Sequence, residues 1–109
     1  MGRDGLGEFE HLVLLAILRV GDAAYGIPVV EEIDRRTDRS VSRASVYVAL
    51  RRLEKKALVE SELSEPTAER GGRAKKYFRL TPKGVALVRD SRRDLFRMWE
   101  GIEGVVGES

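Results

Sequence analysis

SVYVALRRLEKKALV, from Ser45 to Val59, reads as a helix with a basic face. It runs directly into a basic β-hairpin, Leu58 to Leu80, whose tip and return carry ERGGRAKK. At about 100° per residue, Val46, Ala49, Leu50 and Leu53 share one side of the helix, with Ala57 near its end. The opposite side presents Ala44, Ser45, Val48, Arg51, Arg52 and Lys55, flanked by Arg43 and Tyr47. Small and hydroxyl residues let a backbone approach base edges, and arginines fork to guanine or phosphate. Arg70, Arg73, Lys75 and Lys76 on the hairpin supply a cationic ribbon beside that helix. A groove-entering helix next to such a ribbon is what duplex DNA binding requires.

The charge distribution agrees. The formal net charge is only +2, but residues 1–39 carry 5 Lys/Arg and 8 Asp/Glu, net −3. Residues 40–80 carry 10 and 5, net +5, and residues 81–109 carry 5 and 5, net 0. A charge run is often just a solvated face. A basic helix joined to a basic hairpin weighs against that.

Other chemistries find little support in the 109 residues. There is no cysteine, which excludes disulfides, zinc–cysteine sites and thiol catalysis. One histidine, His11, sits on an apolar helix and reads as a packing residue rather than a ligand. No Walker loop, nucleophile elbow or metal-ligand spacing occurs, so no enzymatic activity, cofactor or metal is expected. Glu31, Glu32, Glu54, Glu60 and Glu62 read as surface charges. No stretch reaches the about 18 apolar residues of a membrane span, and the N-terminus is not a signal peptide. The simple expectation is a soluble, cytoplasmic single domain.

Outward from the basic helix, the remaining elements follow from periodicity. Glu8 to Val20 is a helix: Phe9, Leu12, Val13, Ala16 and Ile17 keep helical spacing, and Leu14, Leu15 and Leu18 fill the other side. So apolar a helix is buried on more than one face, either centrally or against another subunit. Tyr25-Gly26-Ile27-Pro28 opens a second helix, with Val29, Val30 and Ile33 inward and Glu31, Glu32 and Asp34 to Arg36 outward. Ser42 is the N-cap of the third helix. Leu58 to Leu63 alternates as a half-buried strand, Ser64 to Ala74 is a polar loop, and Lys75 to Leu80 is the return strand. Thr81-Pro82 begins a fourth helix. Along it Val88, Arg92, Leu95, Trp99, Ile102 and Val106 form a seam spaced 4-3-4-3-4, widened by Phe96 and Met98. Such a seam dimerises or docks on its own domain.

This order predicts a mainly α (α+β) winged helix-turn-helix domain at residues 1–80, with a C-terminal dimerisation helix at 81–109. The chain resembles the PadR family of bacterial winged-helix transcriptional regulators, in its short-tailed subgroup, over roughly Leu6 to Val88. The resemblance rests on LGEFEHLVLLAIL (Leu6–Leu18), AYGIPVVEEI (Ala24–Ile33), SVYVALRRLEKKALV and GGRAKKYFRLTPKG (Gly71–Gly84). Two positions depart from it. Val48 stands where the family often has Pro, and Ala57 where it usually has Gly before the wing. Either Ala57 adopts a left-handed cap, at a cost of about 1 kcal/mol relative to Gly, or the helix ends slightly differently.

The resemblance implies a homodimer on a near-palindromic operator, usually repressing transcription. It also implies terminal helices that build the dimer and, in some members, a cavity between subunits for aromatic or drug-like molecules. The DNA-contacting set expected here is Ser42, Arg43, Ser45, Tyr47, Arg51, Arg52, Lys55, Arg70, Arg73 and Lys75. Tyr47 either bonds a phosphate, as its family position suggests, or packs on the helix surface. Arg70 and Arg73 either enter a minor groove or belong to a solvated loop. The dimer interface is expected at Leu12, Leu15, Val88, Leu95, Trp99 and Ile102. Phe96 and Trp99 are candidates for stacking a small hydrophobic or aromatic effector, and plain interface core is the other reading of Trp99. The competing function is a ligand-sensing or protein-docking module that has lost DNA binding. The operator, the regulated genes and the effector's identity are not readable from the chain.

Overall fold

Leu14, Leu50, Leu53, Leu58, Val13, Val29, Val46 and Val59 are the largest fully buried side chains, and they come from three helices and the base of a hairpin. The computed structural model describes residues 6–64, 74–105 and 107. Its elements are α1 (Glu8–Val20), a 3-10 turn at Gly21–Ala23, α2 (Gly26–Thr37), α3 (Arg43–Lys55), β1 (Val59–Leu63), β2 (Lys76–Leu80) and α4 (Pro82–Trp99). This is the expected mainly α winged helix-turn-helix, with one two-stranded antiparallel sheet.

Helix α1 buries Val13, Leu14, Ala16 and Ile17, whereas Leu15 and Leu18 remain exposed. It is therefore a core helix with one apolar flank left open. Helix α2 adds Val29 and Ile33. Glu32, expected on its wet face, is instead buried. Its carboxylate collects Arg19 at 3.0 Å, Arg36 at 3.1 Å and Arg35, joining α1 to α2. Burial pushes the Glu32 carboxyl up, but the Arg19 hydrogen bond and the charges of Arg35, Arg19 and Arg36 outweigh it and hold the group below its ordinary value. Glu10 is likewise buried and takes the Lys56 ammonium at 3.3 Å, tying the start of α1 to the end of α3.

Helix α3 starts as expected: the Ser42 hydroxyl accepts the Ser45 N–H at 3.0 Å. It ends at Lys55, short of Val59, because Ala57 adopts φ 63°. The Leu58 N–H then reaches back to the Leu53 carbonyl at 2.9 Å, and the Ala57 N–H to Glu54 at 3.0 Å. These bonds form a Schellman cap, sealed by the buried Leu53 and Leu58. Leu58 thus belongs to the cap, and β1 begins one residue later.

The hairpin register pairs Val59 with Leu80, Ser61 with Phe78 and Leu63 with Lys76. Phe78 alone of β2 is buried, and its N–H donates to the Ala24 carbonyl at 2.8 Å, which docks the hairpin on the α1–α2 link. Leu63 is 68% exposed, so the half-buried alternation expected of this strand holds only at its base.

Helix α4 opens as expected, with the Thr81 hydroxyl capping the Gly84 N–H at 3.0 Å and Pro82 in the first turn. Gly84 lies against the hairpin root, where a Cβ would stand 2.1 Å from the Leu58 carbonyl oxygen. Val88 is the last buried residue of the helix. The helix stops at Trp99, and Ile102 falls in the turns that follow. The seam is therefore not one continuous helix, and its last member, Val106, lies outside the described residues.

Two substitutions at this junction should move stability in opposite directions. Ala57→Gly should stabilise by about 1 kcal/mol by relieving the left-handed conformation. Gly84→Ala should destabilise by about 1–3 kcal/mol through overpacking, although alanine is the better helix former. Thermal unfolding followed by circular dichroism measures both, and each kcal/mol corresponds to a shift of about 4–8 °C in Tm.

Candidate nucleic-acid interface

The core fixes which side of α3 faces out. With Val46, Ala49, Leu50 and Leu53 buried, the exposed side carries Arg43, Ala44, Ser45, Tyr47, Val48, Arg51, Arg52 and Lys55. None of Arg43, Arg51, Arg52 and Lys55 has an ion pair with a described carboxylate. Arg19, Arg35, Arg36, Arg39 and Arg79, by contrast, all do. The paired arginines hold the fold together, and the cations of α3 point outward without that role.

Each of the other expected contact residues has a definite place. The Ser42 hydroxyl is engaged as the α3 cap and also donates to Ser45 Oγ at 2.9 Å. Ser42 thereby shapes the first turn. Tyr47 is 40% exposed, and its ring lies over the start of α2. A Cβ at Gly26 would stand 2.2 Å from the Tyr47 hydroxyl oxygen, so Gly26 makes room for that ring. Tyr47 thus packs with one face and leaves the other side open. Lys75 sits at the loop end of the wing strands, opposite Ser64, with its ammonium 4.0 Å from the centre of the Tyr25 ring. Tyr25 in turn meets Tyr77 edge to face at 5.3 Å. Arg70 and Arg73 lie outside the described residues.

Glu54, like Glu32, is more than the plain surface charge expected of it. It accepts the Ser61 hydroxyl at 2.6 Å and pairs with Lys76 at 3.3 Å, so α3 is bonded to both wing strands. The Ser61 hydrogen bond lowers the Glu54 carboxyl, burial opposes it, and Lys76 lowers it further; the net position is below the ordinary carboxylate value. The partners of the buried Glu32 are half visible in sequence, since Arg35 and Arg36 follow at i+3 and i+4. Nothing local signals that Glu10 meets Lys56 or that Glu54 meets Ser61.

On the α1–α4 side, Ser91 Oγ lies 3.4 Å from His11 Nδ1, and partial burial lowers the His11 pKa. Leu95, Phe96, Met98, Trp99 and Ile102 are exposed, as are Leu15 and Leu18. Val88, expected on a subunit interface, is buried in the core of the chain. Leu12 is partly buried at the edge of a groove of about 600 Å³ between α1 and α2, together with Leu15, Leu18 and Ile33. Among the described residues no helix is long and apolar enough to cross a membrane, and no acidic or His cluster is placed to hold a metal.

A helix-turn-helix with a free cationic face on its second helix, braced by a hairpin wing, defines a winged-helix DNA-binding regulator. Residues 14–90 match the transcriptional regulator PadR-like family, and the chain belongs to it. The fold is shared with a PadR-like transcriptional regulator of Bacillus cereus, at 21% identity, TM-score 0.72 and 93% coverage of both chains. It is shared too with a PadR family regulator of Clostridium difficile, at 22% identity and TM-score 0.73, covering 91% of this chain and 99% of the other. A transcriptional regulator of Clostridium thermocellum is 25% identical with TM-score 0.68, covering 91% and 89%. An uncharacterized protein of Lysinibacillus sphaericus is 28% identical over 102 residues, 92% of this chain and 85% of that one.

The Glu54 bridge gives a pH prediction. Its carboxyl is depressed in the folded chain, so its stabilising contribution is full above the unfolded value of about 4.3 and is lost as pH falls through the lower folded value. Glu54→Gln should therefore be less stable than wild type at neutral pH, and the gap should close on acidification. Urea denaturation at several pH values reads this difference; a gap that stays constant would remove the charged bridge from the account.

Proposed function

We propose that the protein is a homodimeric transcriptional repressor that binds near-palindromic double-stranded DNA through α3 and the wing. One observation carries this reading: the exposed face of α3 holds Arg43, Arg51, Arg52 and Lys55 without a described carboxylate partner. Phosphate contacts by such cations supply affinity, and the small residues Ala44 and Ser45 in the first turn let the backbone approach base edges. Tyr47 and Lys75 flank the same surface, and Arg70 and Arg73, outside the described residues, complete the proposed contact set.

The dimer is assigned to the exposed apolar side chains Leu95 and Trp99 of α4 and Ile102 just beyond it, with Leu12 and Leu15 of α1. Phe96 and Trp99 are 64% and 43% exposed, and they offer aromatic faces to a small hydrophobic or aromatic effector between subunits. Such an effector alters DNA affinity only by binding the two conformations of the dimer differently.

A dimer engaging roughly 6–10 phosphates should lose about 10³–10⁵ in affinity between 50 and 200 mM salt. Arg51→Ala and Arg52→Ala should each weaken binding and flatten that slope, as read by gel shift on the DNA upstream of the protein's own gene. If neither changes affinity nor slope, α3 is not the reading helix.

Light scattering should return twice the 12.2 kDa chain mass for the wild type, and Leu95→Asp should shift it to monomer by burying an unpaired charge at the interface. Planar aromatic dyes should quench Trp99 emission in the dimer. Unchanged emission across a panel of such dyes would leave Trp99 as interface core.

A further inference from the structure

The first turn of α4 grips the end of α3. Thr81 Oγ1 donates to the Ala57 carbonyl at 2.7 Å, and the Thr81 N–H donates to the Leu58 carbonyl at 3.0 Å. The Lys83 ammonium reaches the Lys56 carbonyl at 3.1 Å. The first and last of these carbonyls belong to the helix end, where intrahelical donors run out. Gly84 closes the contact, since no side chain fits between it and Leu58. Farther along α4, Val88 packs into the core and Ser91 faces His11 of α1. Only the first turn reaches the cap of α3. From Leu95 onward the apolar side chains of α4 are exposed.

The geometry gives this junction leverage. The thirteen residues of α3 span about 20 Å. With two α4 helices held at a dimer axis, a tilt of about 10° at the root swings the far, N-terminal end of α3 by about 3–4 Å. One base-pair step is about 3.4 Å. A small change of angle at the root therefore equals a change of register on DNA. Two hydrogen bonds from side chains, one from Thr81 and one from Lys83, oppose that change without belonging to the core.

We infer that Thr81 and Lys83 are positioning residues: they fix the angle between α3 and α4, and so set the half-site spacing that two copies of this chain accept. This rests on the dimer reading above. The two residues touch no DNA in this role; they act through the α3 cap.

The test uses DNA selected by the full-length wild type from a random library, then resynthesised with one base pair inserted or removed between half-sites. Wild type should lose about tenfold or more in affinity on either change, because half-site spacing mirrors the dimer's geometry. Lys83→Met combined with Thr81→Val should lose about threefold or less on the same DNAs, a relaxed geometry tolerating the altered spacing. Thr81→Val also removes the α4 cap, so Lys83→Met is measured alone as well and should move the ratio in the same direction. The pair Thr81→Ser and Lys83→Arg keeps both donors and should restore the wild-type ratio. A merely structural role would lower affinity at every spacing by one factor and leave the ratio unchanged; that result overturns the inference alone. If the wild type selects no paired half-sites, the dimer reading and this inference fall together.

Discussion

Everything in this fold hangs on the left-handed turn at Ala57. There α3 stops, the chain reverses into β1, and the carbonyls of residues 56–58 are turned toward α4. Glycine would adopt that conformation freely, whereas alanine carries a steric cost of about 1 kcal/mol. The cost is tolerated because the surroundings over-determine the turn. Leu53 and Leu58 close the Schellman cap in the core, and Thr81 and Lys83 bond the turned carbonyls. Wing, reading helix and terminal helix are thus three elements meeting at one cap, and none can be re-angled without disturbing the other two.

The division of labour among the arginines follows from desolvation. A buried carboxylate needs compensating charge and hydrogen bonds. Glu32 obtains them from Arg19, Arg35 and Arg36, and Glu10 from Lys56. Those cations are engaged by the fold. On the outer face of α3, Arg43, Arg51, Arg52 and Lys55 have no such partner among the described residues, so their charge is available to a polyanion without first breaking a described internal pair. A net charge of +2 therefore understates the attraction, because what DNA meets is a local surface rather than the average of the chain.

Periodicity explains what was legible in the sequence. The bounds of α1, the Ser42 and Thr81 caps and the inward side of α3 follow from local spacing and capping chemistry, and the structure places them accordingly. Two features escape for definite reasons, and a third is legible only in part. Leu58-Val59 continues the helical pattern of α3 while also opening the expected strand, and the stop at Ala57 is signalled by its place in the family pattern rather than by a glycine. The 4-3-4 seam of α4 runs on past Trp99, but the Glu100 N–H closes the last turn and Gly101 takes φ 86°, which ends the helix. Glu10 and Glu54 find partners 46 and 7 residues away, beyond any local pattern. For the candidate site the same distinction holds. The charged face of α3 is a local property and could be read, whereas the Glu54 bridge and the Tyr47 ring over Gly26 are tertiary and could not.

The exposed end of α4 makes regulation physically plausible on this scaffold. Leu95, Phe96, Met98 and Trp99 project from a helix whose own protomer leaves them uncovered, and large exposed apolar patches mark association surfaces. Whatever covers that patch gains hydrophobic energy at one end of a rigid rod. The other end of the rod is bonded to the cap of the helix that faces DNA. In the proposed dimer, energy exchanged at the patch would be expressed as an angle at the cap, and DNA with fixed half-site spacing would convert that angle into a difference in affinity. A ligand acting there need not touch α3 or block it. It needs only to favour one packing of the two α4 helices over another, and the difference in its affinity for those packings sets the upper limit on how far it shifts DNA binding.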